Sequence, residues 1–510
     1  MPTAYQELES RFSRLNALRE AAAMLHWDSA VLMPEGGADA RSEQLTALDV
    51  TTHGLLCDPA LGDLLDRADS DAGALDAWQT ANLREMRRQW RHATAVPPDL
   101  VAALTRATRQ CEMAWREARP AADFARVRPY LQEVLDRTRE QAAAKAEALD
   151  LSPYDALLDQ YEPDGRSTQI EAVFDDLAAF LPAFLDDVLR VQDAAPAPVR
   201  PEGPFPTETQ AALARRLMAT LGWDFRHGRL DVSLHPFCGG VPDDLRLTTR
   251  YDESDFASAL LGVVHETGHG LYERGLPAAW RRQPVGEARG MVLHESQSLL
   301  IEMQACRGPE FVGYLAPLLR ESFGGTGPAW TAENLRRLYT RVQPSFIRVD
   351  ADEVTYPAHV ILRYRLETAL LSGDLPLDEL PSAWNAGLHE LLGITPPDDR
   401  LGCLQDIHWF DGAFGYFPTY TLGAIAAAQL FAAAREAVPE LPGCLAEGTF
   451  TPLLAWLRET VHAQGARLGT DAILTAATGR PLDPEAFKTH LRRRYLGDSA
   501  DSADAGASSG

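Results

Sequence analysis

Three things are missing from this chain of 510 residues: a cysteine framework, a basic surface and any long apolar run. The six cysteines, Cys57, Cys111, Cys238, Cys306, Cys403 and Cys444, are scattered without a C-x-x-C pair. That spacing excludes a disulfide scaffold or a cysteine metal knuckle and reads as reduced, mostly buried small hydrophobes. Cations are outnumbered, with 48 Lys and Arg against 73 Asp and Glu and a formal charge of −25. Nucleic acid and anionic membrane both require a cationic surface, so neither is expected as a partner. No run of about 18 apolar residues offers a membrane span. The stretch Met1 to Glu7 has neither the basic start nor the apolar centre of a secretory leader, so a cytoplasmic protein is expected. No internal repeat is visible.

What is present is a composition able to bury a large core. The chain is 45% hydrophobic, and its length alone predicts two to four domains, although one large helical body fits as well. Helical periodicity dominates from residue 5 to about 190, with the stretches 74–93, 98–118 and 122–148 expected to form antiparallel hairpins. A Pro-rich connector at 193–204 divides an N-terminal helical half, about 1–192, from a second half, about 205–497. Alternation at Leu230, Val232 and Leu234, and again at Leu245 and Leu247, predicts two short strands. Helices resume from 255 to 495, and 498–510 reads as a disordered tail by composition.

The most informative residues are His265-Glu266-Thr267-Gly268-His269. Phe256, Leu260, Val263, Val264 and Leu271 recur at helical spacing, so a helix is expected from about Ser254 to Arg274 with Gly275 ending it. At 3.6 residues per turn the two imidazoles sit about 40° apart, one turn above the other, and both can reach one metal ion. Glu266 lies about 100° round from His265, the position of a general base rather than of a ligand. By chance the pattern is expected only ~0.02 times in a chain of this composition. Gly262, Gly268 and Gly270 each cost roughly 1 kcal/mol inside a helix relative to alanine, a violation that points to close packing or function.

A catalytic zinc site takes three protein ligands and keeps its fourth position open. The segment Gly286 to Gln297 offers Glu295, 26 positions after His269, on the next expected helix. Glu287 and Glu302 are nearby acids for which exposed surface charge is the plain alternative. His294, adjacent to Glu295, must point elsewhere, toward a hydrogen-bonded supporting role. Two histidines and a carboxylate admit zinc, cobalt or manganese, with zinc preferred.

Four further clusters stand out: His235-Pro236-Phe237, Asp244-Leu245-Arg246-Leu247-Thr248, Ile347-Arg348-Val349-Asp350-Ala351-Asp352 and Gly402-Cys403-Leu404-Gln405-Asp406-Ile407-His408-Trp409. Singly, a histidine such as His235 or His408 is more often structural, and Arg246 or Arg348 more often a surface ion pair. As an ordered set with the H-E-x-x-H helix and the H-E-S-Q segment, they resemble the carboxypeptidase Taq family of zinc metallocarboxypeptidases. Leu25-His26-Trp27-Asp28, Met33-Pro34-Glu35-Gly36-Gly37, Tyr154-Asp155-Ala156-Leu157-Leu158 and Tyr161-Glu162-Pro163 add to the likeness, which runs from about residue 5 to 497.

The resemblance implies a single catalytic domain over 1–497. It implies a mostly helical body with a deep cleft and a small sheet near the metal, similar to neurolysin and angiotensin-converting enzyme. It also implies a homodimer that removes single residues from peptides with a free C-terminus, broadly but poorly at proline. On that reading His265, His269 and Glu295 hold one metal per chain and Glu266 is the base. Arg348 is first choice to grip the substrate carboxylate and Arg246 second. His408, Tyr416 and Tyr420 are candidates to stabilise the oxyanion, with core packing the plain alternative for the tyrosines. His235 completes the candidate substrate-binding set, and Asp352 and Asp406 are candidates to orient imidazoles, although the sequence cannot pair them. The competing readings are a zinc oligopeptidase or dipeptidyl carboxypeptidase on the same scaffold, and a non-catalytic helical protein with a structural metal.

Overall fold

The computed structural model describes residues 2–497; the tail expected at 498–510 lies outside them. The chain forms two compact units, each assembled from separate segments. The first comprises Met1–Ala93, Pro198–Tyr339 and Ala426–Leu482, and the second Thr94–Ala197, Thr340–Ile425 and the stretch from Asp483 onward. The Pro-rich connector marks one passage between units, after Ala197. The first 93 residues belong with the H-E-x-x-H segment rather than with the helices that follow them.

In the first unit, the helix Ala4–Val31 starts at a capping box in which Gln6 N–H donates to Thr3 Oγ1 at 3.2 Å and Thr3 N–H to Gln6 Oε1 at 3.0 Å. Its apolar face, Leu8, Phe12 and Leu15, packs into a core with Leu61, Leu64, Leu65, Leu83 and Met86. A second cluster joins Phe205, Phe256, Phe323 and Trp330, with Phe256 stacked on Trp330 at 5.8 Å between ring centroids. Phe256 opens the helix Phe256–Gly275 that carries the paired histidines, so this aromatic cluster fixes its start.

The small sheet also belongs to this unit. It has three strands rather than the two expected: β1 (Gly228–Val232), β2 (Cys238–Val241) and β3 (Asp244–Thr249), in the order β1-β3-β2. β1 runs parallel to β3 and β2 antiparallel to it. β2 reads Cys238-Gly239-Gly240-Val241, and two glycines erase the alternation by which a strand is recognised. Leu234, expected within the first strand, lies past its end and is 81% exposed. β3 buries Leu245, Leu247, Thr248 and Thr249 and packs against the helix Phe256–Gly275.

In the second unit, the expected hairpin forms from Pro98–Ala121 and Phe124–Leu149. Ala122 turns the chain with φ +53°, and Asp123 caps the second helix by accepting from Arg126 N–H at 3.1 Å. The helix Tyr356–Ser372 is buried along most of its length. His359, Arg363 and Glu367, spaced i, i+4, i+8, share one face, and all three are fully buried. Polar groups placed so deep must find partners inside the protein.

Candidate metal centre

The helix Phe256–Gly275 begins at Asp255, whose carboxylate accepts from Ala257 N–H at 2.9 Å and Ser258 N–H at 3.4 Å. The expected span is therefore correct to within two residues. The next helix, Met291–Leu299, continues directly into a π-helical turn, Leu300–Cys306. These two helices meet at Gly268. A Cβ there would lie 2.6 Å from Ser298 Cα and 2.7 Å from Gln297 O, a separation no side chain tolerates. Glycine inside the first helix is the condition for the second to approach closely enough to bring Glu295 to the histidines.

His265, His269 and Glu295 come together, with one ligand atom from each lying within 4.8 Å of the others. His269 Nε2 is 3.6 Å from Glu295 Oε2, and His265 Nε2 is 4.0 Å from Glu295 Oε1. Tetrahedral ligands at the usual zinc bond lengths are separated by about 3.4 Å, so the three donors fit one small divalent cation. Both imidazoles are also oriented for it. His265 Nδ1–H donates to Glu302 Oε2 at 3.0 Å, and His269 Nδ1–H donates to the His294 carbonyl at 3.0 Å. Each ring thus presents its Nε2 lone pair toward Glu295.

The electrostatics agree. Burial opposes protonation of His265, but Glu302, Glu295 and Glu266 surround it and raise its pKa to about 10, so the Nε2 that faces Glu295 attracts positive charge, and a divalent cation would take the place of its proton. Burial raises the Glu266 carboxyl; His265 opposes the rise and Glu295 and Glu302 add to it. An acid 8% exposed with a raised pKa suits proton exchange better than a surface carboxylate does.

Glu302, for which exposed surface charge was the plain reading, is instead buried, and its other oxygen accepts from Arg307 Nη2 at 2.5 Å. The signal that could have found it is its position in an otherwise apolar stretch one helical segment beyond Glu295. His294 behaves as expected: its Nε2 meets Glu273 Oε1 at 2.9 Å, and its ring lies tilted against that of His269 with 4.6 Å between centroids. Asp352 and Asp406 do not orient these imidazoles. Asp352 accepts backbone N–H groups of Gln343, Val354 and Thr355, and Asp406 is taken up by two arginines.

Of the substrate-binding candidates, Arg246 and His235 lie in the first unit. The Arg246 fork is held by Asp244 (Nε to Oδ1 at 3.0 Å, Nη2 to Oδ2 at 2.6 Å), and its face stacks on Trp27 at 4.5 Å. Its donors are therefore largely committed within the protein. His235 is exposed on the loop between β1 and β2, where its carbonyl accepts from Ser233 Oγ at 2.6 Å.

Arg348, His408, Tyr416 and Tyr420 lie together in the second unit. Arg348 is 6% exposed; Nε and Nη2 donate to Asp406 Oδ1 at 3.2 and 2.9 Å, and Nη1 to Tyr356 Oη at 2.9 Å. Arg363 donates to Asp406 Oδ2 at 2.6 Å and to Gln405 Oε1 at 2.7 Å, while Gln405 Oε1 also receives the Arg348 backbone N–H. Burial resists the Asp406 charge, but Arg363 and Arg348 hold the carboxyl well below its ordinary range. Two guanidiniums about one carboxylate leave this buried cluster with a net positive charge. Arg363 escaped the sequence reading, although a buried arginine at i+4 from His359 in an apolar helix was the available sign. The His408 ring lies 4.5 Å from that of Phe417, and its Nε2 is 3.3 Å from Tyr420 Oη. Burial lowers its pKa to about 4, so it is neutral at pH 7. Tyr416 and Tyr420 pack edge to face at 5.1 Å.

Comparison with known proteins completes the picture. The Carboxypeptidase Taq (M32) metallopeptidase family matches this chain over residues 7–495. The chain belongs to the carboxypeptidase Taq family. Thermostable carboxypeptidase 1 of Thermus thermophilus is 37% identical, over 96% of this chain and 98% of that protein. Carboxypeptidase 1 of Bacillus subtilis is 32% identical, over 97% and 98%. Among solved structures, Trypanosoma cruzi metallocarboxypeptidase 1 superposes with a TM-score of 0.95 at 41% identity, covering 96% of this chain and 99% of that one. The carboxypeptidase of this family from Deinococcus radiodurans gives 0.91 at 35%, covering 97% and 99%. As a carboxypeptidase Taq family member, the protein is a metal-dependent peptide hydrolase.

Proposed function

We propose that this protein is a zinc carboxypeptidase that releases single residues from peptides with a free C-terminus, broadly but poorly at proline. The observation that carries this reading is the pair of oriented imidazoles facing Glu295 with Glu266 beside them. His265, His269 and Glu295 would hold one divalent ion, which would supply Lewis acidity toward water and the scissile carbonyl; zinc is favoured, with cobalt or manganese able to replace it. Glu266 takes the proton of the attacking water and delivers it to the leaving amine. Glu302 and the His294 carbonyl keep both imidazoles in one tautomer. Arg348, carrying the excess positive charge of its cluster, recognises the terminal carboxylate. His408, Tyr416 and Tyr420 supply hydrogen bonds to the substrate and to the charge that develops on its carbonyl oxygen. The whole of 1–497 acts as one catalytic domain, working in the cytoplasm as a homodimer.

The extent to which Asp406 and Tyr356 occupy Arg348 favours a second reading, an oligopeptidase that needs no carboxylate grip. Product mapping separates the two. With an unblocked peptide of about ten residues, mass spectrometry should show a ladder of single-residue losses that vanishes on chelation. The same peptide amidated at its C-terminus should resist cleavage, and equal cleavage or internal cuts would favour the oligopeptidase. Glu266→Gln should retain metal and lose ~10²–10⁴-fold in kcat; full activity in a metal-replete variant would remove Glu266 from the reaction.

A further inference from the structure

We propose that Glu367 is a positioning residue whose ionised carboxylate seats the turn at Gly415 and thereby aims Tyr416 and Tyr420 at the substrate. The inference rests on the peptidase reading above and adds a control element to it. Glu367 projects from the helix Tyr356–Ser372 and is fully buried. Three donors converge on it: Tyr154 Oη to Oε1 at 2.5 Å, Trp409 Nε1 to Oε2 at 3.1 Å, and the backbone N–H of Gly415. They come from three separate stretches: the helix Pro153–Leu158, the G-x-x-Q-D-x-H-W cluster, and the turn that begins Gly415-Tyr416-Phe417.

The turn has little freedom of its own. Gly415 adopts φ +87°, and a Cβ there would lie 3.0 Å from Leu158 N, so its backbone lies against the end of the Tyr154 helix. Tyr161, just beyond that helix, packs edge to face on Tyr416 at 5.0 Å. Glu367 therefore ties the Gly415 backbone to the same helix through Tyr154, and Tyr161 braces the Tyr416 ring.

The choice of an acid has a consequence. Trp409 and the Gly415 amide can only donate, and an ionised carboxylate accepts from all three partners at once. On protonation one oxygen becomes a hydroxyl that must turn to Tyr154, and the remaining acceptor strength for Trp409 and Gly415 falls. All three partners are neutral, so nothing among them offsets a buried negative charge. The titratable groups that act on these side chains are Tyr154, Asp155, Tyr161, Glu171, Tyr364, Asp175 and Asp411; of the nearby cations, Arg363, one turn before Glu367, is taken up by Asp406 and Gln405, and Arg139 by the Leu370 and Leu371 carbonyls. Burial raises the Glu367 pKa to about 7, against the pull of the Tyr154, Trp409 and Gly415 hydrogen bonds. The turn then tightens as pH rises through neutrality.

The test uses full-length, metal-loaded enzyme. Wild-type kcat should fall as pH drops through about 7. Glu367→Gln should lose this limb, because its neutral amide can donate to Tyr154 and accept from Trp409 at every pH. Tyr154→Phe removes one stabilising donor and should move the limb to higher pH. Glu367→Ala, where it folds, should lower kcat by about tenfold with KM changed less than about twofold. An unmoved limb in both Glu367→Gln and Tyr154→Phe overturns the proposal. Infrared difference spectra between acidic and alkaline protein should contain a protonated-carboxyl band that Glu367→Gln abolishes. A spectrum in which that band does not titrate near neutral pH overturns the proposal whatever the substrate. A titrating band in a protein that hydrolyses no peptide overturns the peptidase reading instead.

Discussion

At the scale of single residues, the candidate metal centre is shaped by hydrogen bonds made on the far side of each imidazole. A histidine offers two nitrogens, and only a ring whose Nδ1 is already committed presents Nε2 reliably. For His269 that commitment is to a main-chain carbonyl, which side-chain substitution cannot remove. For His265 it is to Glu302, itself held by Arg307. Glu302→Gln keeps the shape but loses the charge and can present an amide N–H to Nδ1, reversing the tautomer. Metal affinity should fall by about 10–100-fold, read by competition with a chromogenic chelator. Asp352→Asn is the control: Asp352 caps backbone N–H groups around Val354, so its affinity should stay near that of the parent.

At the scale of elements, the site depends on how closely two helices approach, and the glycines of the H-E-x-x-H helix are not equivalent. Gly268 faces backbone atoms of the partner helix under 3 Å from where a Cβ would sit, whereas Gly262 meets only Pro236 Cγ, at 3.9 Å. Alanine gains roughly 1 kcal/mol in helix propensity at either position. At Gly262 that gain should appear as stabilisation of about 0.5–1 kcal/mol. At Gly268 overpacking of about 1–3 kcal/mol outweighs it and displaces Glu295. Chemical denaturation of metal-replete Gly262→Ala and Gly268→Ala should therefore move in opposite directions, and Gly268→Ala should bind metal more weakly. If Gly268→Ala were as stable and as tight a binder as the parent, close approach of the helices would not be what the glycine provides. The π-helical turn Leu300–Cys306 belongs to the same design, because it follows directly from the Glu295 helix and carries Glu302 back to His265.

At the scale of the whole molecule, legibility in the sequence follows the range of the interaction. The H-E-x-x-H helix, its ends and the relation between its histidines are set by spacings of a few residues, and all were readable. β2 was not, because glycine hides strand periodicity. The roles of Glu302, Arg363 and Glu367 were not, because each depends on which distant segment arrives opposite it. The partner of Asp406 stayed open in the sequence for the same reason: Arg348 and Arg363, which take it up, are 58 and 43 positions away. The assembly of the first unit from separated segments shows how such pairing is enforced. Arg289, just before the Glu295 helix, is 2% exposed and donates to Glu85, also 2% exposed, at 2.8 Å. Burial disfavours the Glu85 charge, but Arg289 and Arg88 overcome it and hold the carboxyl below its ordinary value. A carboxyl with a depressed folded pKa contributes stability above the unfolded pKa and loses it as pH falls toward the folded one. Glu85→Ala removes the carboxylate that buried Arg289 donates to and should destabilise the protein by about 3–5 kcal/mol at pH 7. Because acid removes the same charge from the parent, the gap between the two should narrow as pH drops below the normal carboxylate range. Denaturant titrations of both proteins at pH 7 and pH 3 would show it, and a gap independent of pH would mean that packing, not the ion pair, holds the segment before Glu295 in place.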